Sequence, residues 1–362
     1  MSMSLLKGIK PMIDDFTEKK PICIIAQEAG GIPKGLKEGF EKSGCPVKLI
    51  IYNESLIDIK RSMVSRLWHR MSDPGYQREL KGAFNNCFEI NMKDLIDGLY
   101  DALIVMRGNY LSKNNRLMIE NYIKAPLVTW LYDPIDSCPI QREIAELADY
   151  VICAEERDLA HYGEKSLWLP LGYNDNLYKM RDCERDIDVL ISGSINHCYR
   201  KRRKVLELIG NSKIADKKRC VFIGSTGYSW SDMNVKIGNI FWAAKRVTPE
   251  ALAEYQSRAK ICINIHRDDC DKMINPSFFS IPGSGSCQIA EEKGHFRKFL
   301  VPGVEYMEYI DEKDMINVIE ELLGDERKRN EISRHGHDKV KKEFTLEAQA
   351  CKLKKIIDEL KG

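Results

Sequence analysis

Short, nearly unbroken apolar runs punctuate the chain, among them PICIIAQ at 21–27, VKLIIY at 47–52, ALIVM at 102–106, LVTWL at 127–131 and IDVLIS at 187–192. Runs of this length without polar alternation predict strands buried on both faces, the environment of a parallel sheet covered by helices. Segments with helical spacing lie between them, at 34–43, where Gly44 ends the pattern, near 114–123 and at 140–147. Strand, helix and strand in repetition predict βαβ units and a parallel sheet covered on both faces, an α/β fold.

The series continues through a strand at 150–154, a short helix at 157–162 and a strand at 166–169, then stops at Pro170-Leu171-Gly172. A polar stretch at 173–185 follows, and a second series opens at 187 with a basic helix at 199–209, a strand at 220–223, a helix at 249–259 and a strand at 261–265. The tail is helical at 313–323, 327–343 and 346–360, whereas 53–91 is polar, rich in Met and Arg, and helical at best. At 362 residues the chain exceeds what one core usually supports, so two domains are expected. The boundaries predicted are 1–175, 176–345 and a final helix, 346–362, that crosses back to the first domain. Two doubly wound Rossmann-like domains bind ligands where the carboxyl ends of their strands face a common cleft.

An apolar fraction of 43% and a charged fraction of 30% exclude disordered and fibrous classes. No run approaches the roughly 18 apolar residues of a membrane span. The opening MSMSLLKGIKPM lacks the apolar core and cleavage site of a signal peptide, so a cytoplasmic protein is expected. Twelve cysteines are scattered through apolar runs and form no CxxC pair, which predicts reduced core residues and neither zinc nor dithiol chemistry. A net charge of +2 gives no global attraction to nucleic acid.

The stretch NPSFFSIPGSGSCQ, 275–288, with a helix-length polar segment behind it, reads as a glycine-and-serine turn after a strand that offers backbone N–H groups and small hydroxyls to a diphosphate, although a plain surface loop has the same composition. The order of motifs from 279 onward is more specific. Phe279-Ser280-Ile281-Pro282, Gly285, the turn FLVPGVE at 299–305, Tyr309 and the pattern RNEISRHG at 329–336 fall in sequence. Together they resemble the C-terminal domain of the CgeB-like, spore-protein-type glycosyltransferases, within the wider GT-B group. Trp130 to Pro134 (WLYDP), the crossover LPLGYN at 169–174, and Gly193 with Arg200 or Arg203 extend the similarity toward the N-terminus. The chain departs from the family at Ser280, where a glutamate usually holds the ribose hydroxyls, and at Ser277, where an arginine is usual. Lys272, Asn275 or one of Glu291 and Glu292 are the alternatives for that role.

The resemblance implies a metal-independent, hexosyltransferase-like enzyme with no resident cofactor, using a UDP- or GDP-sugar as donor and a hydroxyl on a glycan, lipid-linked, protein or small-molecule acceptor. The leaving diphosphate must be neutralised and the reacting centre shielded from water. On the donor side the implied residues are Gly193, Ser194, Arg200, Arg203, Asn264, His266, Asn275, Ser280, Gly283, Ser284 and Gly285, with the turns at 193–203 and 283–285 converging on one pyrophosphate. The basic run RKRRK, 200–204, reads equally as a solvated helix face, and His266 as a structural histidine. An inverting reaction needs a base in the first domain, and Asp133, at the end of a strand and before Pro134, is the candidate, ahead of Asp136 and Glu28. Gly30-Gly31 either lines the acceptor side or makes a tight turn. A second reading keeps nucleotide-sugar binding without turnover. A third makes DNA the acceptor, tracked by basic residues at 201–204 and 217–219 and by Trp68, His69 and Arg70.

Overall fold

The structure, a computed structural model, describes residues 19–51, 99–108, 113–122, 124–195, 199–224, 237–244, 247–267 and 272–362. The segment 53–91 and residues 225–236 of the glycine- and tryptophan-containing loop after Ile223 lie outside the described residues, as do Trp68, His69 and Arg70.

The aliphatic runs become the strands of two sheets. The first contains β1 (Ile22–Ala26), β2 (Val47–Ile51), β3 (Ala102–Met106), β4 (Leu127–Leu131), β5 (Tyr150–Cys153) and β6 (Ser166–Trp168) in the order β2-β1-β3-β4-β5-β6. The second contains β7 (Ile187–Ser192), β8 (Cys220–Ile223), β9 (Phe241–Ala244), β10 (Ala259–Asn264), β11 (Cys287–Glu291) and β12 (Met307–Tyr309) in the order β12-β11-β10-β7-β8-β9. Every pairing is parallel. Each residue of β1, β3 and β4 is buried, which is why these strands carry no polar alternation. Strand order reverses between β1 and β3 in one sheet and between β7 and β10 in the other. At such switch points the connections leave toward opposite faces and open a crevice at the carboxyl edge.

Helices cover the sheets: α1 (Ile32–Lys42), α2 (Lys113–Tyr122), α3 (Arg142–Ala145) and α4 (Leu159–Tyr162) belong to the first domain. The second adds α5 (Arg200–Gly210), α6 (Lys213–Lys217), α7 (Pro249–Arg258), α8 (Ser277–Gly283), α9 (Glu312–Gly324) and α10 (Glu326–Glu343), and α11 (Leu346–Lys361) ends the chain. Local sequence explains many of their starts. Ser212, Thr248, Asp311, Asp325 and Thr345 each accept a hydrogen bond from a backbone N–H of the first turn.

The chain passes between the domains twice, and the two passages lie side by side. The Tyr173 N–H donates to the Phe344 carbonyl at 3.0 Å, and the Leu346 N–H donates to the Tyr173 carbonyl at 3.0 Å. Beyond this point α11 lies on the first domain, burying Leu346, Ala350, Leu353 and Ile357 in one cluster with Leu36 and Phe40 of α1. Gly39 allows the approach, since a Cβ there would stand 2.8 Å from the Glu347 Cα. Cys23, Cys153, Cys220, Cys262 and Cys287 are buried strand residues whose thiols burial pushes up to about 12, so they serve as core side chains.

The main departure from the sequence reading is at 275–291. The glycine-serine segment does not follow a strand; it joins α8 to β11 and so precedes one.

Candidate functional site

At the switch point of the second sheet β7 ends in Ser192, and Gly193 turns the chain at φ 119°. A Cβ on Gly193 would lie 2.5 Å from Nη1 of Arg202. That arginine is only 8% exposed, and its guanidinium donates to the Ser194 carbonyl at 2.5 Å and to the Ile265 carbonyl at 2.7 Å. It also packs over the Tyr199 ring at 4.3 Å. Arg202 thereby ties the loop after β7 to the loop after β10, and the crevice between them opens into a cavity of about 370 Å³. Its polar floor is a chain of amides. Asn275 Nδ2 donates to Asn264 Oδ1 at 2.9 Å, and Asn264 Nδ2 to Gln288 Oε1 at 3.5 Å. Asn275 Oδ1 accepts from the Phe278 N–H at 3.1 Å, which sets the entry to α8. Ile223, Val247, Leu252 and Ile281 supply apolar walls.

A second cavity, of about 310 Å³, lies between the domains and is lined by Gly30, Arg107, Tyr132 and Asp133 on one side and by Met273 and Ser280 on the other. Leu252 and Ser277 line both cavities, so the two adjoin. Asp133, at the carboxyl end of β4, pairs with Arg107 Nη2 at 3.1 Å and, across the cleft, with Arg267 Nη1 at 3.4 Å. The domains are fastened further by Glu155, whose Oε2 accepts the Lys272 N–H at 3.1 Å, and by Glu156, paired with Lys298 at 2.7 Å. The hydrogen bond from Lys298 holds the Glu156 carboxyl below its usual range.

Residues 200–355 match the family model described as glycosyl transferase-like. No curated protein matches the chain. Among solved structures, sucrose-phosphate synthase from Thermosynechococcus elongatus is similar over 94% of this chain and 99% of its own, at 14% identity and a TM-score of 0.63. HepE of Anabaena, solved with UDP and glucose, is similar over 93% of this chain and 99% of its own, at 11% identity and a TM-score of 0.60. An α-glucosyltransferase, solved with UDP and a 13-mer DNA containing a central A:G mismatch, is similar over 94% of this chain and 100% of its own, at 12% identity and a TM-score of 0.63. Agreement of both sheets over almost the whole chain decides the architecture. The fold is GT-B.

In the GT-B frame the residues predicted from sequence separate into groups. Gly193, Ser194, Asn264 and Asn275 line the first cavity together. Arg200 is exposed, and Arg203 donates to the Ile195 carbonyl at 3.2 Å, so neither lines that cavity. The arginine at the switch point is Arg202, and its helical spacing from the buried Val205, Leu206 and Ile209 is the signal that marks it. The run 200–204 is therefore not a uniformly solvated face: Lys201 pairs with Glu291 at 2.9 Å, while Arg202 is internal. His266 is packed against Phe296, with ring centres 4.6 Å apart, and its Nε2 accepts the Asn275 N–H at 3.3 Å. Burial, together with Lys293, His295, Arg202 and Lys201 nearby, pushes its pKa well below the ordinary value, so it is a neutral support for the loop.

The turn at 283–285 needs correction. It precedes β11, and Gly193 follows β7; in a parallel sheet these are opposite edges, so the two turns do not converge on one pyrophosphate. Gly283 is closed off by the Tyr173 ring, which a Cβ at that position would overlap. Ser284 donates to Gln256 Oε1 at 3.2 Å, and the Gly285 carbonyl accepts from Arg185 and Ser333. Ser280 reaches the second cavity, yet its hydroxyl donates to the same Gln256 oxygen at 3.4 Å. Of the alternatives for the missing glutamate, Asn275 lines the first cavity, whereas Lys272 pairs with Glu156, Glu291 with Lys201 and Lys293, and Glu292 with Arg297. Glu28 accepts the Gly31 N–H at 2.7 Å and closes the turn after β1, while Asp136 is exposed and paired with Arg142 at 4.0 Å. Gly30 lines the second cavity. Among the described residues no cluster of three or more His, Cys, Asp or Glu could hold a metal ion, and no helix is long and apolar enough to cross a membrane.

Proposed function

We propose that the chain is a glycosyltransferase that holds a nucleotide-sugar at the switch point of the second domain and a hydroxyl acceptor against the first. The carrying observation is the pair of adjoining cavities at the facing carboxyl edges of two doubly wound sheets, joined at Leu252 and Ser277. Support comes from the glycosyl transferase-like match over 200–355 and from GT-B neighbours solved with UDP. On this reading the loop of Gly193 and Ser194, which lines the first cavity, lies against the diphosphate, and Asn264 and Asn275 offer amides to the ribose hydroxyls. Asp133 is the carboxylate among the described residues lining the two cavities, and it takes the acceptor's proton if the reaction inverts. A hexose from UDP or GDP, a reaction without a metal, the CgeB-like branch and a cytoplasmic setting complete the reading.

The test is a thermal-shift and transfer screen with nucleoside diphosphates and their sugars. A ligand at 100 times its Kd should stabilise the fold by about 2.7 kcal/mol. Asp133→Asn should lower turnover by about 10²- to 10⁴-fold while UDP affinity changes little. If no nucleoside diphosphate raises Tm, the donor assignment fails. Binding without turnover remains the second reading. It is favoured by Ser280, whose hydroxyl is engaged by Gln256, and by the absence of a carboxylate among the described residues lining the first cavity. Nucleotide-sugar binding with neither hydrolysis nor transfer would establish it. DNA as acceptor draws little from the basic run, since Arg202 is internal and Lys201 and Arg219 are paired with Glu291 and Asp186.

A further inference from the structure

The cavity of about 310 Å³ between the domains is lined by the loops that follow β1, β3 and β4, and most of its wall is apolar or aromatic. Tyr132, Tyr173 and Tyr178 are all buried, and Ile32, Leu171 and Met273 stand with them. Burial, with Glu250 and Glu28 nearby, pushes the Tyr178 phenol up to about 12, so its surroundings disfavour charge. Polar side chains of the lining are engaged within the protein. Asn174 Nδ2 donates to the Gly31 carbonyl at 3.1 Å, and its Oδ1 accepts the Asn176 N–H at 3.0 Å. The Ser280 hydroxyl donates to Gln256 Oε1 at 3.4 Å, and the Tyr132 hydroxyl to the Met106 sulfur at 3.5 Å. Arg107 and Asp133 are the charged residues among the described lining, and they pair at 3.1 Å and neutralise one another. An acceptor rich in hydroxyls would therefore exchange water for few new partners among the described residues. One with a single hydroxyl needs only the carboxylate, and the rings and aliphatic side chains suit the rest of it.

We propose that the acceptor is a compact, uncharged alcohol or phenol, apolar apart from its reacting hydroxyl, held between the tyrosines and Met273 with that hydroxyl on Asp133. The transfer rests on the glycosyltransferase reading, whereas the kind of molecule bound follows from the cavity. In an inverting transfer the acceptor oxygen passes its proton to Asp133 and bonds to the anomeric carbon. The bond from that carbon to the diphosphate breaks, and the nucleoside diphosphate leaves with the electron pair.

The test is an NMR titration of the full chain, with and without UDP, using cyclohexanol, myo-inositol and 2-naphthol. The first two share a six-membered carbon ring and carry one and six hydroxyls. The parent should bind 2-naphthol, and should bind cyclohexanol about 10²-fold more tightly than myo-inositol. Met273→Gln keeps the length of the side chain and places an amide in the wall, and it should weaken 2-naphthol by about 10-fold. Should that variant not fold, Met273→Ala removes the same contact and carries the same expectation. The proposal is overturned if myo-inositol binds as tightly as cyclohexanol, if the parent binds none of the three, or if folded Met273 variants bind 2-naphthol as the parent does. Binding of 2-naphthol that depends on Met273, in a chain that binds no UDP, would keep the assignment of this cavity and remove the donor reading. UDP binding together with a preference for myo-inositol would do the reverse.

Discussion

Gly193 shows how one residue shapes the donor side. Its positive φ and its contact with the Arg202 guanidinium leave no room for a side chain, and both switch-point loops depend on that guanidinium. Gly193→Ala should therefore destabilise the fold by about 1–3 kcal/mol and weaken UDP binding, as read by urea denaturation and titration. A variant of parental stability and affinity would show that the Arg202 staple is dispensable. His266 predicts a pH dependence. Its folded pKa lies below the ordinary 6.5, so under acid the unfolded chain takes up a proton that the native chain refuses. Stability is full above pH 6.5 and falls below it, by up to about 1.4 kcal/mol per pH unit for each such group. His295, lowered chiefly by burial and by Lys293, adds to the slope. His266→Gln keeps an acceptor for the Asn275 N–H without titrating between pH 7.5 and about 5.5, where its slope should be shallower than the parent's. An unchanged slope would place the acid sensitivity elsewhere.

At the scale of elements, α8 contrasts with α5. The basic helix α5 is legible from its apolar stripe, and the same stripe reveals that Arg202 faces inward. Helix α8 has the sequence SFFSIPG, with Pro282 inside it and serines and glycines around it, and local propensity argues against a helix there. Tertiary burial decides the matter. Phe278 and Phe279 are fully buried, and Phe278 lies 4.6 Å from Phe296 and 5.3 Å from Tyr306, centre to centre. Phe278→Ala should cost about 3–5 kcal/mol by chemical denaturation. A cost under about 1 kcal/mol would mean that the aromatic cluster does not hold α8. The edge strands β9 and β12 were illegible for a related reason, because they are short, partly exposed and without a long apolar run.

At the scale of the whole molecule, the last helix completes the first domain although it follows the second. Leu353 is fully buried in the cluster shared with Leu36 and Phe40. Leu353→Ala should destabilise by about 2–5 kcal/mol, and hydrogen exchange should show the loss first in β1 and α1. Protection lost first in β7 and β10 would contradict the assignment of α11 to the first domain.

Although the buried strand β11 went unread, the sequence by itself determined the class of fold, strands β1 to β8 and β10, the break between the two series and the helical tail. Each of these follows from local hydrophobic pattern, which records how many faces of an element are buried. Gly193, Asn264 and Asn275 were also within reach, because they stand at or beyond the ends of strands or just before a helix. Only the tertiary structure decided that 283–285 lies at the far edge of the sheet and that Arg202 rather than Arg200 or Arg203 joins the loops. It alone brought Arg267 across to Asp133 and Arg107. These facts depend on strand order and on contacts between residues distant along the chain, and a local pattern specifies burial without naming the partner that provides it.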